Sequence, residues 1–317
     1  MSQVASLERH PATLSPGAAP RRAHRSGRAT RLLTPYLLLV PALFMYAVFT
    51  VYPIFRQFDI SFYNWHILPG ATNPFVGWSN FTAIFSDPVI RTAAFNSLLF
   101  VVITVPAQMA LGLFAAAVLT DRLPGATLWR ALIFIPVITS WVVVSYIFAY
   151  TFSAGDGPAN ALLSFFAGHA VRIDWLAQTW TGNAVIWLLG IWKGVGWSFL
   201  IFLAALDGVP RELVEAARVD GASEPRIWRN VIIPAIRPSI MFVLVLLVIG
   251  AAGVFIPVAL LTGGGPYNST QVLLTYAYQQ AFSFLAFSYA AAIASLFAVV
   301  LFSFSVLEIK VLRRQED

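Results

Sequence analysis

The charged side chains best placed to act together lie in one polar segment, residues 207–236, between two long apolar stretches. Glu215 is followed directly by Ala216 and Ala217 and, after three further residues, by Gly221. A carboxylate flanked by small side chains can pair with a cationic or amide group on a surface that approaches closely. On composition alone, the same residues also fit a solvated amphipathic loop. These residues indicate noncovalent recognition of another surface. The spacing of the motif has to decide between such recognition and a solvated loop.

The segment predicts two short helices separated by a tight turn. Pro210 can begin the first helix, and Gly221 ends it as a C-terminal cap. Ser223 can cap the second helix, which continues until Pro234 breaks the backbone hydrogen-bond ladder. The first helix also carries charged side chains spaced for i,i+4 and i,i+3 ion pairs: Arg211, Glu215 and Arg218. We expect a compact helical hook that is exposed at the surface.

Lys193 is a charged residue placed well inside an apolar stretch. An ammonium at the centre of a membrane helix costs about 2.5–3.5 kcal/mol on insertion scales, so we expect it to face the bundle interior or a wet cavity. It can be a polar contact near a pathway, a structural tie to a neighbouring helix or subunit, or a side chain that snorkels to the interface. The structural tie is the simplest of these roles.

Two further groups of residues can act at membrane depth. Gly250, Gly253 and Pro257 can open a kink beside a pathway, because freed carbonyls are tolerated only near protein or water. Close helix packing is the more common use of such small residues. Three glutamines can bond sugar hydroxyls, although a lone amide near a helix end is more often solvated: Gln108, Gln279 and Gln280.

Absences from the sequence exclude several catalytic chemistries. The only lysines are Lys193 and Lys310, and neither follows a glycine, which excludes a phosphate-binding P-loop. Cysteine is absent, so disulfides, thiolate metal sites and cysteine nucleophiles are excluded together. The histidines are scattered, without metal-ligand spacing or a nucleophile to serve: His10, His24, His66 and His169. We therefore predict no catalytic residue and no metal site in this chain.

The elements that must position these residues are membrane helices. The chain is 59% hydrophobic and 11% charged, and it lacks any charged residue between Pro238 and Leu307. Because each apolar run is about as long as a helix needs to cross a bilayer, we predict an all-α membrane protein. It would have six transmembrane helices at about 32–55, 93–119, 131–152, 184–206, 237–261 and 287–307.

The basic residues predict the orientation of these helices. Sixteen of the 20 lie in the N-terminal arm, the second and fourth connections and the C-terminus. By the positive-inside rule both termini are cytoplasmic, and so is the hook between helices 4 and 5. The anionic inner surface of the membrane is a simpler partner for this charge than nucleic acid.

The predicted organisation is one transmembrane domain, residues 32–312, flanked by two tails. Residues 1–31 mix arginine with Pro, Ala, Ser and Gly and predict a disordered basic cytoplasmic tail, and residues 313–317 form a second cytoplasmic tail. The outer connections, about 56–92 and 153–183, are rich in aromatic and turn residues. We expect them to lie on the membrane face or to cover the mouth of a pathway.

The spacing inside the hook carries a family resemblance. The Glu-Ala-Ala run at Glu215 is followed after three residues by Gly221, and after nine more by Val-Ile-Ile-Pro ending at Pro234. This resembles the EAA loop of binding-protein-dependent ABC importer permeases, in which EAA, three residues, G and nine residues precede I-x-L-P. Val231 and Ile233 depart from that pattern but keep a branched aliphatic side chain. The full spacing favours recognition over a plain solvated loop.

Other segments resemble the carbohydrate branch of that family, the maltose and glycerol-3-phosphate type, and the likeness covers about residues 35–314. These segments are Tyr52-Pro53, Gly77-Trp78-Ser79-Asn80-Phe81, Asp220-Gly221-Ala222-Ser223 and Leu261-Thr262-Gly263-Gly264-Gly265-Pro266.

The resemblance implies that the first helix of the hook docks on a cytoplasmic ATPase subunit, whose ATP-driven closure moves the permease helices. The coupling residues would be Glu215, Ala216, Ala217, Asp220, Gly221 and Pro234. ATP and Mg²⁺ would be bound by the partner ATPase subunits, with no cofactor in this chain. The path of the solute would be lined by Lys193, Gly253 and Pro257.

The resemblance also implies the partners and the location. A second permease subunit would complete a heterodimer, alongside two ATPase subunits and an extracytoplasmic solute-binding protein. The assembly would lie in the bacterial cytoplasmic (inner) membrane and import a sugar or a sugar-like solute, with a glycerol-phosphate ester among the options.

The main alternative is a secondary transporter driven by an ion gradient. Such carriers usually hold carboxylates near the membrane midplane and paired interrupted helices. The predicted spans contain no Asp or Glu, and no paired interruption is evident in them. An intramembrane enzyme would need a Ser/His or His/Asp constellation at membrane depth, which is also absent. These absences favour the ATP-driven importer.

Overall fold

The computed structural model describes residues 28–313, apart from 69, 121–124 and 156. The predicted tails fall almost wholly outside the described residues. The chain divides into two compact units between Ile54 and Phe55. Throughout the described ranges the secondary structure is helical, without strands, and one isolated β-bridge joins Tyr63 to Phe75. The predicted all-α class is confirmed.

The first predicted span is a continuous apolar helical stretch. Helix α1 (Arg28–Tyr46) leads through a π-helical turn (Ala47–Val51) into α2 (Tyr52–Ile60). Residues Tyr36–Ile60 are long and apolar enough to cross a membrane. The helical stretch continues past the predicted end at residue 55.

Four more helical stretches have the length and composition of membrane spans. They are α4 (Pro88–Thr120), α8 (Thr179–Asp207), α12 (Arg237–Ala252) with α13 (Ile256–Leu261), and the Phe287–Leu307 part of α15 (Phe287–Arg313). Their apolar runs contain no turn signals strong enough to end a helix, apart from the glycine and proline between α12 and α13. The second, fourth, fifth and sixth predicted spans are therefore confirmed as apolar helices.

The third predicted span is not one straight helix. Helices α5 (Ala126–Ile138) and α6 (Trp141–Thr151) meet at a bend of 98°, so residues 131–152 are two helices rather than one continuous helix, and their prediction as a single crossing stays untested. Pro136 lacks a backbone donor and disturbs the hydrogen-bond ladder of the last turn of α5. Just beyond it, the Thr139 hydroxyl donates to the Pro136 carbonyl at 2.6 Å. The described chain thus holds five spans, or up to six if the bent pair counts as one.

The fifth span is also interrupted. Helix α12 ends at Gly253, and α13 begins after Phe255 with Pro257 in its first turn, where a missing N–H is harmless. Because α13 packs against α6 and α8, the two interruptions belong to one packed region. Of the two breaks, only the one between α5 and α6 bends the described chain by more than 40°. Neither break contains Asp or Glu, the side chains that ion-coupled carriers use.

Three short helices lie within the connections and were not predicted: α3 (Ser79–Ser86), α7 (Pro158–Ala167) and α14 (Leu273–Phe282). Helices α3 and α14 join the ends of α4 and α15 around a second apolar core. Its buried members include Ile84, Ile90, Ala93, Tyr276, Ala292 and Ile293.

The main core lies where α4 and α8 pack along each other. Buried residues there include Phe100, Val105, Leu189, Phe199 and Phe202. The close approach depends on glycine, because a Cβ on Gly112 would lie 2.7 Å from the Ser198 Cβ. A Cβ on Gly196 would lie 2.8 Å from the Ile133 carbonyl of α5.

Small-residue packing was expected in the fifth span, at the glycines of α12. A Cβ on Gly250 would meet nothing within 4 Å, so this glycine is not a packing position. The close-packed glycines belong to α4 and α8 instead. The break between α12 and α13 agrees with the other interpretation of these residues, an interruption of the helix.

The polar segment between α8 and α12 folds as a chain of short helices. They are α9 (Arg211–Val219), α10 (Glu224–Ile227), a π-helical turn (Trp228–Ile232) and α11 (Ile233–Ala235). We refer to residues 207–236 as the hook.

Candidate coupling hook and membrane cavity

The turn between α9 and α10 depends on Gly221. Its φ of 77° lies in the left-handed region that favours glycine. Its N–H donates to the Arg218 carbonyl and the Ala222 N–H donates to the Ala217 carbonyl, both at 3.0 Å. This is the Schellman pattern, which satisfies carbonyls that the end of a helix leaves free. The predicted C-terminal cap at Gly221 is confirmed.

The second helix differs in detail from its prediction. Ser223 occupies the N-cap position with extended backbone, but its side chain forms no capping hydrogen bond. Pro234 lies inside α11, and the helical path stops just beyond it at Ile236. The break before α12 is therefore present, slightly later than predicted.

The two arms of the hook differ in exposure. Helix α9 has no buried residue, and its Leu213 and Val219 are 53% and 87% exposed. By contrast, Ile227 and Ile236 are 1% and 2% exposed. The second arm is thus anchored in the core, while the first presents apolar side chains outward.

The ion pairs of the hook were predicted incorrectly. Glu215 forms neither the predicted pair with Arg211 nor that with Arg218. The Arg218 Nε instead donates to the Glu224 Oε1 at 2.9 Å, across the Gly221 turn. Because both side chains are more than half exposed, this pair ties α9 to α10 with a contribution of about 0–1 kcal/mol.

Glu215 borders a polar cavity of about 500 Å³ between α9, α10 and the ends of α4 and α8. Its described lining includes Thr120, Asp207, Arg211, Arg218, Glu224 and Trp228. Among the other predicted coupling residues, Ala216 is exposed on α9, Ala217 is half-buried, Asp220 and Gly221 are exposed at the turn, and Pro234 is exposed on α11. The hook therefore presents a carboxylate, small side chains and two apolar side chains on one short helix.

A second cavity, of about 470 Å³, lies among α4, α8 and the two interrupted spans. The structure brings the three predicted path residues, Lys193, Gly253 and Pro257, together in its wall. The rest of the described wall is mostly apolar and aromatic, including Trp141, Trp197 and Phe255. Ligand pockets in proteins commonly have this size and mostly apolar character.

Lys193 ties α8 to the bend between α5 and α6. The residue is 4% exposed, and its Nζ donates to the Pro136 carbonyl at 2.7 Å and to the Thr139 carbonyl at 2.6 Å. The Nζ also lies 4.9 Å from the centroid of the Trp141 ring, within cation–π range. A cation suits the end of α5, because carbonyls freed at a helix C-terminus carry partial negative charge. The predicted structural tie is confirmed, and the same residue faces the cavity.

Gln108 also lines the cavity, which the sequence did not predict. It is 6% exposed, lies within α4 away from both helix ends, and donates to the Gly190 carbonyl at 3.1 Å. The expectation of a solvated amide was wrong for this residue. Gln279 instead accepts a hydrogen bond from Gln271 at 2.7 Å, and it lies with Gln280 on α14, outside the described cavity wall.

Asp87, just before α4, organises a polar contact that the sequence also missed. Its carboxylate accepts hydrogen bonds from the hydroxyls of Tyr276 and Tyr289, each at 2.7 Å. Burial opposes ionisation of Asp87, but these bonds and two backbone N–H groups outweigh it and hold its pKa below the ordinary value. Burial, and then the bond to Asp87, raises the pKa of Tyr276 to about 12. No spacing signal connects residues so far apart in the chain.

The described residues contain no group of three or more His, Asp or Glu side chains that could hold a metal ion.

Comparisons with known proteins agree on the family. Residues 108–313 match the family model described as "Binding-protein-dependent transport system inner membrane component". The sulfoquinovosyl glycerol transport system permease protein SmoG of Agrobacterium fabrum is 34% identical over 86% of this chain and 87% of its own length. The sn-glycerol-3-phosphate transport system permease protein UgpA of Yersinia enterocolitica is 30% identical over 89% and 94%, respectively.

A solved structure shares the fold. It is a bacterial alginate ABC transporter in complex with an alginate pentasaccharide-bound periplasmic protein, and one of its chains superposes with a TM-score of 0.79 at 21% identity. The match covers 92% of this chain and 98% of that one. The chain therefore belongs to the family of binding-protein-dependent inner membrane transport components, the permeases of ABC transporters.

Proposed function

We propose that this chain is a permease subunit of an ATP-driven importer that carries a sugar or a sugar-like solute, with a glycerol-phosphate ester among the options. Its six spans would lie in the bacterial inner membrane with both termini in the cytoplasm. The observation that carries the proposal is the hook, in which an exposed α9 is joined to a core-anchored second arm. The names of SmoG and UgpA support the solute class.

The proposed coupling contact is the exposed face of α9. Glu215 has no ion pair within the described chain, and Leu213 and Val219 expose apolar surface beside it. A partner surface that buries these side chains gains apolar burial, and a cationic or amide group there would pair with the carboxylate. ATPase subunits supplied by separate chains would make this contact and bind ATP and Mg²⁺.

The second arm would transmit the movement of the ATPase subunits to the spans. Ile227 and Ile236 are buried in the body of the protein, and α12 begins directly after the hook. A displacement of α9 therefore acts on α12 and on the interrupted region beyond it. The cavity among Lys193, Gly253 and Pro257 would be part of the solute path in this subunit.

The remaining proposed partners are a second permease, which would complete a heterodimeric pathway, and an extracytoplasmic solute-binding protein. The family description names dependence on such a binding protein. Two ATPase subunits, one for each permease, would complete the assembly.

The test is ATP-driven solute uptake by the complete transporter in proteoliposomes. Glu215→Ala should lower uptake at least about tenfold, because it removes a charged partner at an interface. Its thermal unfolding temperature should stay unchanged, because the side chain is exposed. Glu212→Ala removes another exposed carboxylate of α9 and serves as the matched control. Equal effects of the two variants, or uphill transport by this subunit alone on an ion gradient, would contradict the proposal.

A further inference from the structure

The membrane cavity carries a charge that its wall does not balance. Lys193 is the only charged side chain among the described residues that line it. The ion pairs seen within the described ranges join Arg56 to Asp59 and Arg218 to Glu224, and neither includes Lys193. The partners of the Lys193 ammonium are two carbonyls and an aromatic ring, all of them neutral.

The structural tie does not by itself require a positive charge. An ammonium has three N–H donors, and two of them serve the Pro136 and Thr139 carbonyls. A neutral side chain with two donors can serve the same carbonyls without placing a charge at membrane depth. The formal charge of Lys193 and its third donor are therefore available to a ligand in the cavity.

The rest of the wall suits a sugar ring. Trp141, Trp197 and Phe255 contribute aromatic side chains to the wall, while Gln108 places an amide in the same wall. Between mostly apolar walls, the attraction between opposite charges is stronger than in bulk water.

We propose that the solute carried through this cavity is an acidic sugar, whose carboxylate, sulfonate or phosphate group pairs with the Lys193 ammonium. This inference rests on the proposed function and narrows its solute class. The anionic group would form a charge-assisted hydrogen bond with Nζ. The sugar ring would lie against the aromatic side chains of the wall.

The first experiment compares matched acidic and neutral solutes in the complete transporter in proteoliposomes. The probes are a uronic acid disaccharide and its methyl ester, a sulfonated sugar and its unmodified parent, and sn-glycerol 3-phosphate and glycerol. At low external concentration, the wild type should take up the acidic member of at least one pair about tenfold faster than its neutral partner. Of the three pairs, the one with the largest ratio of acidic to neutral uptake identifies the anionic group.

The second experiment locates that preference in the cavity. Lys193→Gln keeps two N–H donors without the charge, so it should reduce the acid-to-neutral uptake ratio about tenfold. Lys193→Arg should keep the preference. Because the binding protein is the same in every assay, a change in the ratio reports on the membrane subunit.

A second pair of variants avoids disturbing the structural tie. Gly250 borders the cavity, and a Cβ there would meet nothing within 4 Å. Gly250→Asp should place a counter-charge near Lys193 and lower the uptake ratio, whereas Gly250→Asn, of equal size and neutral, should leave the ratio high.

The outcomes separate the two proposals. No ATP-dependent uptake of any probe would contradict the proposed function itself. Uptake without an acidic preference in the wild type would overturn the acidic-sugar inference alone. So would equal losses for acidic and neutral solutes in Lys193→Gln, or equal ratios for Gly250→Asp and Gly250→Asn.

Discussion

The α4–α8 interface and the hook are held together by opposite means. In the interface, glycines bring backbones into contact and aromatic side chains such as Phe199 are fully buried. In the hook, α9 has no fully buried residue, and an exposed ion pair links it to α10. The two regions therefore suit different roles. The tightly packed interior holds the shape of the cavity, while the weakly attached α9 remains available to a partner.

The largest expected effect tests the rigidity of the interior. Gly112→Ala should destabilise the protein by about 3 kcal/mol, because the new methyl group on α4 would lie 2.8 Å from the Phe199 backbone nitrogen on α8. Gly250→Ala is the control, because its methyl group enters open space in a helix and should be neutral or slightly stabilising. Thermal unfolding of the purified subunit in detergent measures both. Equal unfolding temperatures would mean that the interface is not tightly packed.

The second effect concerns the turn of the hook. Gly221→Ala should cost about 1–2 kcal/mol, the penalty for a left-handed backbone with a Cβ, and no steric overlap adds to it. Gly168→Ala, at another exposed left-handed glycine, should lose a similar amount. A much larger loss at Gly221 alone would show that the hook is more tightly integrated than its exposure indicates.

The third effect concerns a buried polar contact, the hydrogen bond between Tyr276 and Asp87, and is measured through the pH dependence of stability. Folding raises the pKa of Tyr276, so its contribution is complete below the unfolded pKa near 10 and is lost as pH rises through about 12. Between pH 9 and 11 the wild type should lose on the order of 1 kcal/mol more than Tyr276→Phe. Unfolding temperatures of the two proteins at both pH values measure this difference. Identical pH dependence would exclude a contribution from the Asp87–Tyr276 bond.

The smallest effect is expected at the exposed ion pair. Glu224→Ala should change stability by no more than about 0.5 kcal/mol, because solvent and salt screen its exposed pair with Arg218. The difference in unfolding temperature between this variant and the wild type should become smaller still in 1 M NaCl. A loss comparable to that of Gly112→Ala would contradict the contrast between the two regions.

Sequence reasoning found the features whose signals are local. The apolar runs predicted six membrane helices, five of which are present as helical stretches of membrane length, and the Glu-Ala-Ala to Pro234 spacing predicted a helical hook with its turn at Gly221. Such features follow from residue types at short range, because caps, turns and membrane length are set within a few neighbouring residues. Lys193, Gly253 and Pro257, which were predicted to line the solute path, lie in the wall of one cavity, and their role in the path stays a prediction.

The missed features depend on contacts between distant segments. At the 98° bend, the Thr139 carbonyl accepts a hydrogen bond from the Lys193 ammonium of α8. No pattern within residues 131–152 predicts that partner. The packing glycines were misassigned because the sequence around a helical glycine does not indicate whether it faces a neighbouring backbone or an open cavity. The pairing of Arg218 with Glu224 depended on the turn between two helices, which i,i+4 spacing cannot describe.

The most direct test of the central claim is crosslinking from α9. The chain contains no cysteine, so Val219→Cys introduces a single reactive thiol at a position that is 87% exposed. With a short bifunctional reagent in the complete transporter, this variant should crosslink to an ATPase subunit, with a yield that changes when ATP binds. Phe165→Cys, on the exposed surface of α7, should not crosslink to it. Crosslinks from Phe165 but not from Val219 would contradict the assignment of the hook as the coupling element.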